Sequence, residues 1–383
     1  MKNQPKSIST RTQPVRRIPV AAPALIGNER EYVLDCLNTT WISSNGKYID
    51  CFEQAFAQFC KAKHAITCCN GTVALHLALL ALGVGPGDEV IVPTLTYVAT
   101  ANAVAYCGAF PVFIDSEPDT WNMNPALIDE VIGPRTKGII VVHLYGHPVD
   151  MDPVLEVAHK YGLFVLEDAA EAHGAEYKGQ RVGSIGDIST FSFYGNKIIT
   201  TGEGGMVATN DDNLAMRVRQ LKGQGQDFQR RYWFPIMGYN YRMTNIQAAI
   251  GLGQLEQIEW HIARHREIAS WYHDLLCDED NLILPAEKPW AKNVYWMTSV
   301  VLEESFTRSR DETMAALAEK GIETRPFFYP MHITPMYKSL ANGREFPVAD
   351  RLAARGMNLP SSALLTYDDV LYVSNTLRSL VRE

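Results

Sequence analysis

The sequence predicts an α/β fold: a mainly parallel sheet flanked by helices, followed by a smaller C-terminal α+β domain. Three observations predict it. Between about residues 60 and 210, short apolar runs alternate with amphipathic stretches, the signature of βαβ crossovers and a parallel sheet. Near Thr244 the pattern changes to one long helical run. Beyond it, strand and helix patterns resume in a region of ordinary domain size.

Taken in order, residues 1–16 are polar and basic (Lys2, Lys6, Arg11, Arg16) with Pro5 and Pro14. They lack the apolar stretch of a secretory signal and read as a flexible extension. Strands are expected at 65–67, 89–92, 112–114, 138–142 and 163–166. Between them the helical patterns are 72–82, 97–106, 125–132 and 153–161. Two further β-like runs, 190–193 and 206–209, flank a polar, Gly-rich segment containing Lys197. The run from Asn245 to about Leu276 reads as one helix leading into the second part, which continues as strand 295–302, helix 310–320 and strand 322–325. The expected division is therefore 1–16, a large domain at 17–250 and a small one at 251–383.

At 383 residues and 46% hydrophobic, the chain can bury substantial cores. A net charge of −8 argues against non-specific nucleic-acid binding, which rewards a basic face. No apolar run approaches the ~20 residues of a membrane helix; the longest, 65–82, is interrupted by Asn70, Gly71 and His76. Seven cysteines without framework spacing read as reduced thiols in a cytoplasmic protein. No metal is expected. The glycines at 83–87 do not form GxGxxG and precede a strand, while P-loop, HExxH and nucleophile-elbow motifs are absent.

Three features converge where an open α/β sheet places its ligands, beyond the carboxyl ends of the strands. Asn70-Gly71-Thr72 follows the first strand and opens a helix, so its free amides and the helix dipole suit a phosphate. An ordinary glycine turn with a capping residue is the alternative. An apolar strand runs straight into Glu167-Asp168, delivering a carboxylate to a polar partner or to a structural salt bridge. Finally, Ser192 ends a short strand and Lys197 lies in the turn beyond it, either as a surface lysine or as a Schiff-base nucleophile. Together, a phosphate cradle, an anion and an amine are what pyridoxal phosphate requires.

With these residues in view, the sequence resembles the nucleotide-sugar aminotransferases of the DegT/StrS family, which have the type I fold of pyridoxal-phosphate-dependent transferases. The resemblance runs from about Arg17 to the C-terminus. It rests on Cys69-Asn70-Gly71-Thr72, Glu167-Asp168-Ala169-Ala170, Phe191 through Lys197 to Gly205, and Gly238-Tyr239-Asn240-Tyr241-Arg242-Met243-Thr244. Segments 40–44, 232–235 and 330–333 are most similar to members that aminate GDP-4-keto-6-deoxymannose to GDP-perosamine.

The resemblance implies that Lys197 carries the cofactor and Asp168 partners its ring nitrogen. It implies that Tyr97 stacks on the ring, and that Gly71, Thr72 and Ser192 bind the phosphate. Asn240 would reach the phosphate of a neighbouring subunit in a homodimer with shared sites. Arg231, Arg242, Tyr329 and His332 are the implied substrate contacts. Glutamate and a nucleotide-linked 4-keto-6-deoxy sugar are the implied substrates, with no nucleic-acid or membrane partner. Where the family commonly has Gln to contact the ring hydroxyl, this chain has Glu171. Alternatives are a pyridoxal-phosphate-dependent sugar dehydratase, which in some relatives has His in place of the lysine, and a UDP- or dTDP-sugar aminotransferase. A non-catalytic binding protein on the same fold would be expected to lack Lys197 or Asp168.

Overall fold

The computed structural model describes residues 16–381. Its centre is a seven-stranded sheet made of β1 (His64–Cys68), β2 (Glu89–Pro93), β3 (Phe110–Ile114), β4 (Thr136–Val142), β5 (Phe164–Asp168), β6 (Ile188–Ser192) and β7 (Gly205–Thr209). The spatial order is β1-β7-β6-β5-β4-β2-β3. Only β7 runs against the others, antiparallel to both β1 and β6. Alternate residues of the same strands enter two apolar layers. Val90, Val92, Ile140, Val142 and Leu166 face one, while Ile91, Ile139, Val141 and Val165 face the other. A sheet buried on both faces reads as continuous apolar runs, which is why its strands were legible.

The expected strands fall within the observed ones, except that 163–166 starts one residue before Phe164, and 190–193 starts two residues late and runs one past Ser192. Several elements differ more. The expected 97–106 helix begins at Ala99, leaving Tyr97 in the loop after β2. The 125–132 helix is a 3-10 turn, Pro125–Leu127, followed by the short helix Ile128–Val131. The long C-terminal run is two helices, Asn245–Leu255 and Ile258–Leu276, broken at Glu256-Gln257. At the break, Glu256 accepts hydrogen bonds from Asn28 and Tyr32, both at 2.7 Å, tying this point to the helix Glu29–Thr39. No glycine or proline marks the interruption. Periodicity alone therefore ran through it.

Of the expected strand 295–302, only Ser299–Leu302 (β8) is extended. Residues 322–325 reduce to an isolated bridge between Ile322 and Ile18 and the two-residue strand Arg325–Pro326 (β9). With Leu282–Ile283 and Gly356–Asn358 these form a four-stranded antiparallel sheet. A second apolar cluster surrounds it, including Ile268, Tyr272, Val300, Leu317 and Val373, and Ile18 belongs to it. The extension expected at 1–16 lies outside the described residues except for Arg16. That residue is held by an ion pair to Asp369 and sits over the Tyr372 ring.

Candidate active site

The sheet order explains why residues distant in sequence meet. Strands β1, β6 and β5 point the same way, so their carboxyl ends share one edge with the start of β7 between them. Cys68 and Ser192 both pair with Gly205. Gly205 must be bare because a Cβ there would lie 2.3 Å from the Asn70 carbonyl oxygen. Asn70 then caps the helix Gly71–Ala81, accepting from the Val73 amide at 3.0 Å. Its carbonyl takes the Ala74 amide, and the Gly71 and Thr72 amides have no acceptor within the helix. A Cβ on Gly71 would fall 2.8 Å from that of Ser192. Helix amides and a serine hydroxyl thus converge on a concavity that any larger residue would fill, a fit to a phosphate group.

At the end of β5 the alternation of side chains sends two adjacent carboxylates to opposite faces. Glu167 is fully buried and accepts from the amides of Gly183 (2.7 Å), Ile185 (2.8 Å) and Gly186 (2.7 Å) and from His143 Nε2 (3.1 Å). His143 Nδ1 accepts from the Val149 amide, so the ring proton lies on Nε2 and points to Glu167. Asp168 faces the pocket instead, accepting from Thr100 Oγ1 at 2.8 Å and the Ala170 amide at 3.2 Å. Burial raises its carboxyl above the usual value, opposed by the Thr100 hydroxyl, the Ala170 amide and Lys197. The sequence left a structural and a functional reading open for this pair. Glu167 takes the structural one.

Lys197 lies in the turn after β6, with Nζ 3.6 Å from Glu171 Oε1 and 3.7 Å from the centre of the Trp296 ring. Glu171 is held on its other side by the Tyr145 amide at 2.9 Å. That amide is aimed by a left-handed backbone at Tyr145 (φ 52°), uncommon outside glycine and frequent at functional sites. Burial lowers the Lys197 amine, with Glu171 and Asp168 opposing. Burial likewise raises Glu171, with Lys197 opposing. The pair therefore titrates as a unit. Glu171→Gln is expected to remove the anion that favours the ammonium and to move the Lys197 titration downward. An opposite charge this near shifts a group by about 1–3 units, so the acid limb of a kcat/KM–pH profile should move to lower pH by about one unit or more.

These groups line one cavity of about 490 Å³, together with Asn70, Gly71, Thr72, Tyr97, Ser192, Glu203, Arg325 and Phe328, a volume usual for a cofactor or small-molecule site. Tyr97 is 56% exposed there, its ring 5.7 Å from Phe328. Gly71, Thr72, Tyr97, Asp168, Glu171, Ser192 and Lys197 are thus brought together. The other expected residues are not among those lining this cavity. Asn240 is exposed and bridges Gly223. Arg231 is exposed beside Tyr232, and Arg242 donates to Ser44 Oγ at 3.2 Å, joining segments 40–44 and 238–244. Tyr329 is 59% exposed. His332 is buried, hydrogen-bonded to Thr94 (2.7 Å) and Asp350 (3.1 Å), and stacked on Phe346. Both its ring nitrogens are engaged within the fold. Sequence reasoning missed Thr100, Tyr145, Trp296 and Arg325. None carries a local motif: Trp296 and Arg325 reach the cavity through tertiary packing, while Thr100 and Tyr145 hold Asp168 and Glu171 from behind.

Among the described residues, no cluster of His, Cys, Asp and Glu could hold a metal, and no helix is long and apolar enough to cross a membrane. All seven cysteines are free thiols.

Comparison with known proteins gives the family. The chain is 56% identical to the GDP-perosamine synthase of Caulobacter vibrioides over 355 residues, covering 92% of this chain and 95% of that protein. It is 51% identical to the GDP-perosamine synthase of Escherichia coli O157:H7, covering 95% and 98%. Among solved structures it matches DesV of S. venezuelae, solved with a ketimine intermediate, with a TM-score of 0.89 at 34% identity, covering 96% and 99%. Residues 23–378 match the DegT/DnrJ/EryC1/StrS aminotransferase family, and the chain belongs to that family.

Proposed function

We propose that the protein is a pyridoxal-phosphate-dependent aminotransferase that moves an amino group from glutamate to C4 of GDP-4-keto-6-deoxymannose, giving GDP-perosamine. The observation that carries the chemistry is the meeting of Lys197, Asp168 and the Gly71–Thr72–Ser192 concavity in one cavity. The relatives named GDP-perosamine synthase, at 56%, 51% and 46% identity, support the substrate.

In this reading Gly71, Thr72 and Ser192 hold the cofactor's phosphate, Asp168 its ring nitrogen, Glu171 its ring hydroxyl and Lys197 its aldehyde carbon. Tyr97 packs on the ring. When bound, pyridoxal phosphate supplies an electron sink for the pair left at the donor's Cα. Lys197 Nζ would take the proton from that carbon and deliver it to the cofactor's aldehyde carbon, a role suited to an amine lowered by burial. Asp168 keeps the ring nitrogen protonated. Asn240 and the exposed aromatic segment 228–234 face outward from the chain, which supports a homodimer in which Asn240 serves the neighbouring site. Arg231, Arg242 and Tyr329 contact the nucleotide sugar, and His332 acts from behind Thr94. The apolar cluster around the four-stranded sheet, drawn from beyond residue 251 except for Ile18, supports a smaller C-terminal domain beside a large cofactor-binding one, working in the cytoplasm.

The test is competition. Protein supplied with glutamate and with GDP-, UDP- and dTDP-linked 4-keto-6-deoxy sugars should incorporate nitrogen fastest into the GDP sugar, read by mass spectrometry. A tenfold preference in kcat/KM for UDP or dTDP, about 1.4 kcal/mol of differential transition-state binding, would overturn the GDP assignment. Loss of water from the sugar without nitrogen incorporation would overturn the aminotransferase reading.

A further inference from the structure

One buried side chain touches both the Lys197 amine and the backbone of the residue before it. The indole of Trp296 donates from Nε1 to the Asn196 carbonyl at 2.6 Å, and its ring centre lies 3.7 Å from Lys197 Nζ. The indole is itself confined. It is 5% exposed and stacks on Tyr145 at 6.2 Å. Gly146 approaches so closely that a Cβ there would lie 2.9 Å from the Trp296 backbone nitrogen. Tyr145, whose amide holds Glu171, thus also abuts the ring that meets Lys197.

We propose that Trp296 is a positioning residue for Lys197, its N–H fixing the turn and its π face seating the amine beside Glu171. This rests on the reading of Lys197 as the reacting amine. An aromatic face attracts a cation more strongly where water is excluded, and a guanidinium or hydroxyl in the same place would repel the ammonium or compete for Glu171. The charged neighbours of the amine are Glu171 and Asp168, which favour its protonated form, and Arg325, which opposes it. His173, held by burial down to about 3, is neutral near neutrality and adds no charge. Trp296 acts on the same side as the two carboxylates. It resists the loss of the proton that burial promotes, and it keeps the amine within reach of the acid that exchanges protons with it.

The test separates the face from the N–H. The full chain, freed of cofactor, is labelled competitively with acetic anhydride across pH, and the apparent titration of Lys197 is read by peptide mass spectrometry. W296L should lower the Lys197 value by about one unit, the worth of a desolvated cation–aromatic contact. W296F retains a weaker face and should shift it by less than half as much. Both should speed amide exchange at 194–199, because both lose the Asn196 contact. Should W296L fail to melt cooperatively, W296M carries the same expectation. An unshifted titration in folded W296L or W296M, or a shift in W296F as large as in the aliphatic variant, overturns the proposal. The labelling needs no cofactor, so its failure is distinguishable from failure of Lys197 to be the cofactor's amine, which would appear as a cofactor adduct on another lysine.

Discussion

Lys197→Ala is expected to abolish turnover, with kcat reduced about 10⁴-fold or more, the upper range for loss of a general acid–base alone. It should nevertheless leave the cofactor bound. Two features of the site make the effects separable. Lys197 is the only lysine lining the cavity, so no second amine among the described residues stands ready to replace it. The phosphate concavity is built from the helix at Gly71 and from Ser192, neither of which depends on the lysine side chain. Cofactor retention, followed by absorbance and equilibrium dialysis, should therefore fall by no more than about tenfold, or 1.4 kcal/mol. The wild-type protein should be yellow, bleach with borohydride, and yield one reduced cofactor adduct at Lys197. An adduct on another lysine, or near-normal turnover by the alanine variant, would remove Lys197 from the chemistry.

The legibility of this site follows from how each part is encoded. Asn70-Gly71-Thr72, Glu167-Asp168 and Ser192 sit at strand ends, and strand ends are visible wherever an apolar run stops at a polar pair. That a parallel sheet gathers such ends on one edge is a property of topology. Their order in the chain therefore predicted their meeting, although 121 positions separate Gly71 from Ser192. Which of two adjacent carboxylates faces the pocket was not legible in the strand pattern, and only the resemblance named Asp168. Strand alternation puts them on opposite faces, but only the loop 183–186, folding over Glu167 with three amides, decides the choice. Trp296 was read as part of a strand that begins three residues later, at Ser299. The resemblance implied His332 as a substrate contact, whereas its partners in the fold, Thr94 and Asp350, lie 238 and 18 positions away. The helix break at Glu256 likewise depends on Asn28 and Tyr32, more than two hundred positions upstream.

Asp168→Asn is expected to lower kcat by about 10²-fold or more, the scale for removing a group aimed at developing charge. The substitution is nearly isosteric, so the hydrogen bonds show what changes. The Thr100 hydroxyl and the Ala170 amide both donate to the carboxylate. An Asn carbonyl can keep one of them, but its amide group presents protons where the other donor stands. The variant also loses the negative charge that would hold a proton on the cofactor's ring nitrogen, and an unprotonated ring accepts electrons poorly. The pH dependence gives an independent reading. Burial raises the Asp168 carboxyl, while Thr100, Ala170 and Lys197 oppose the rise. In wild type, activity that needs the carboxylate should be lost as pH falls through that raised value. In Asp168→Asn the part of the acidic loss that belongs to this carboxylate should disappear, leaving a low profile whose acid limb is set by Lys197 alone. Thermal melting should separate this from unfolding, since a folded variant with full cofactor occupancy and a 10²-fold deficit locates the loss in the chemistry. Near-normal transamination by the Asn variant would make Asp168 a structural residue, like Glu167 beside it.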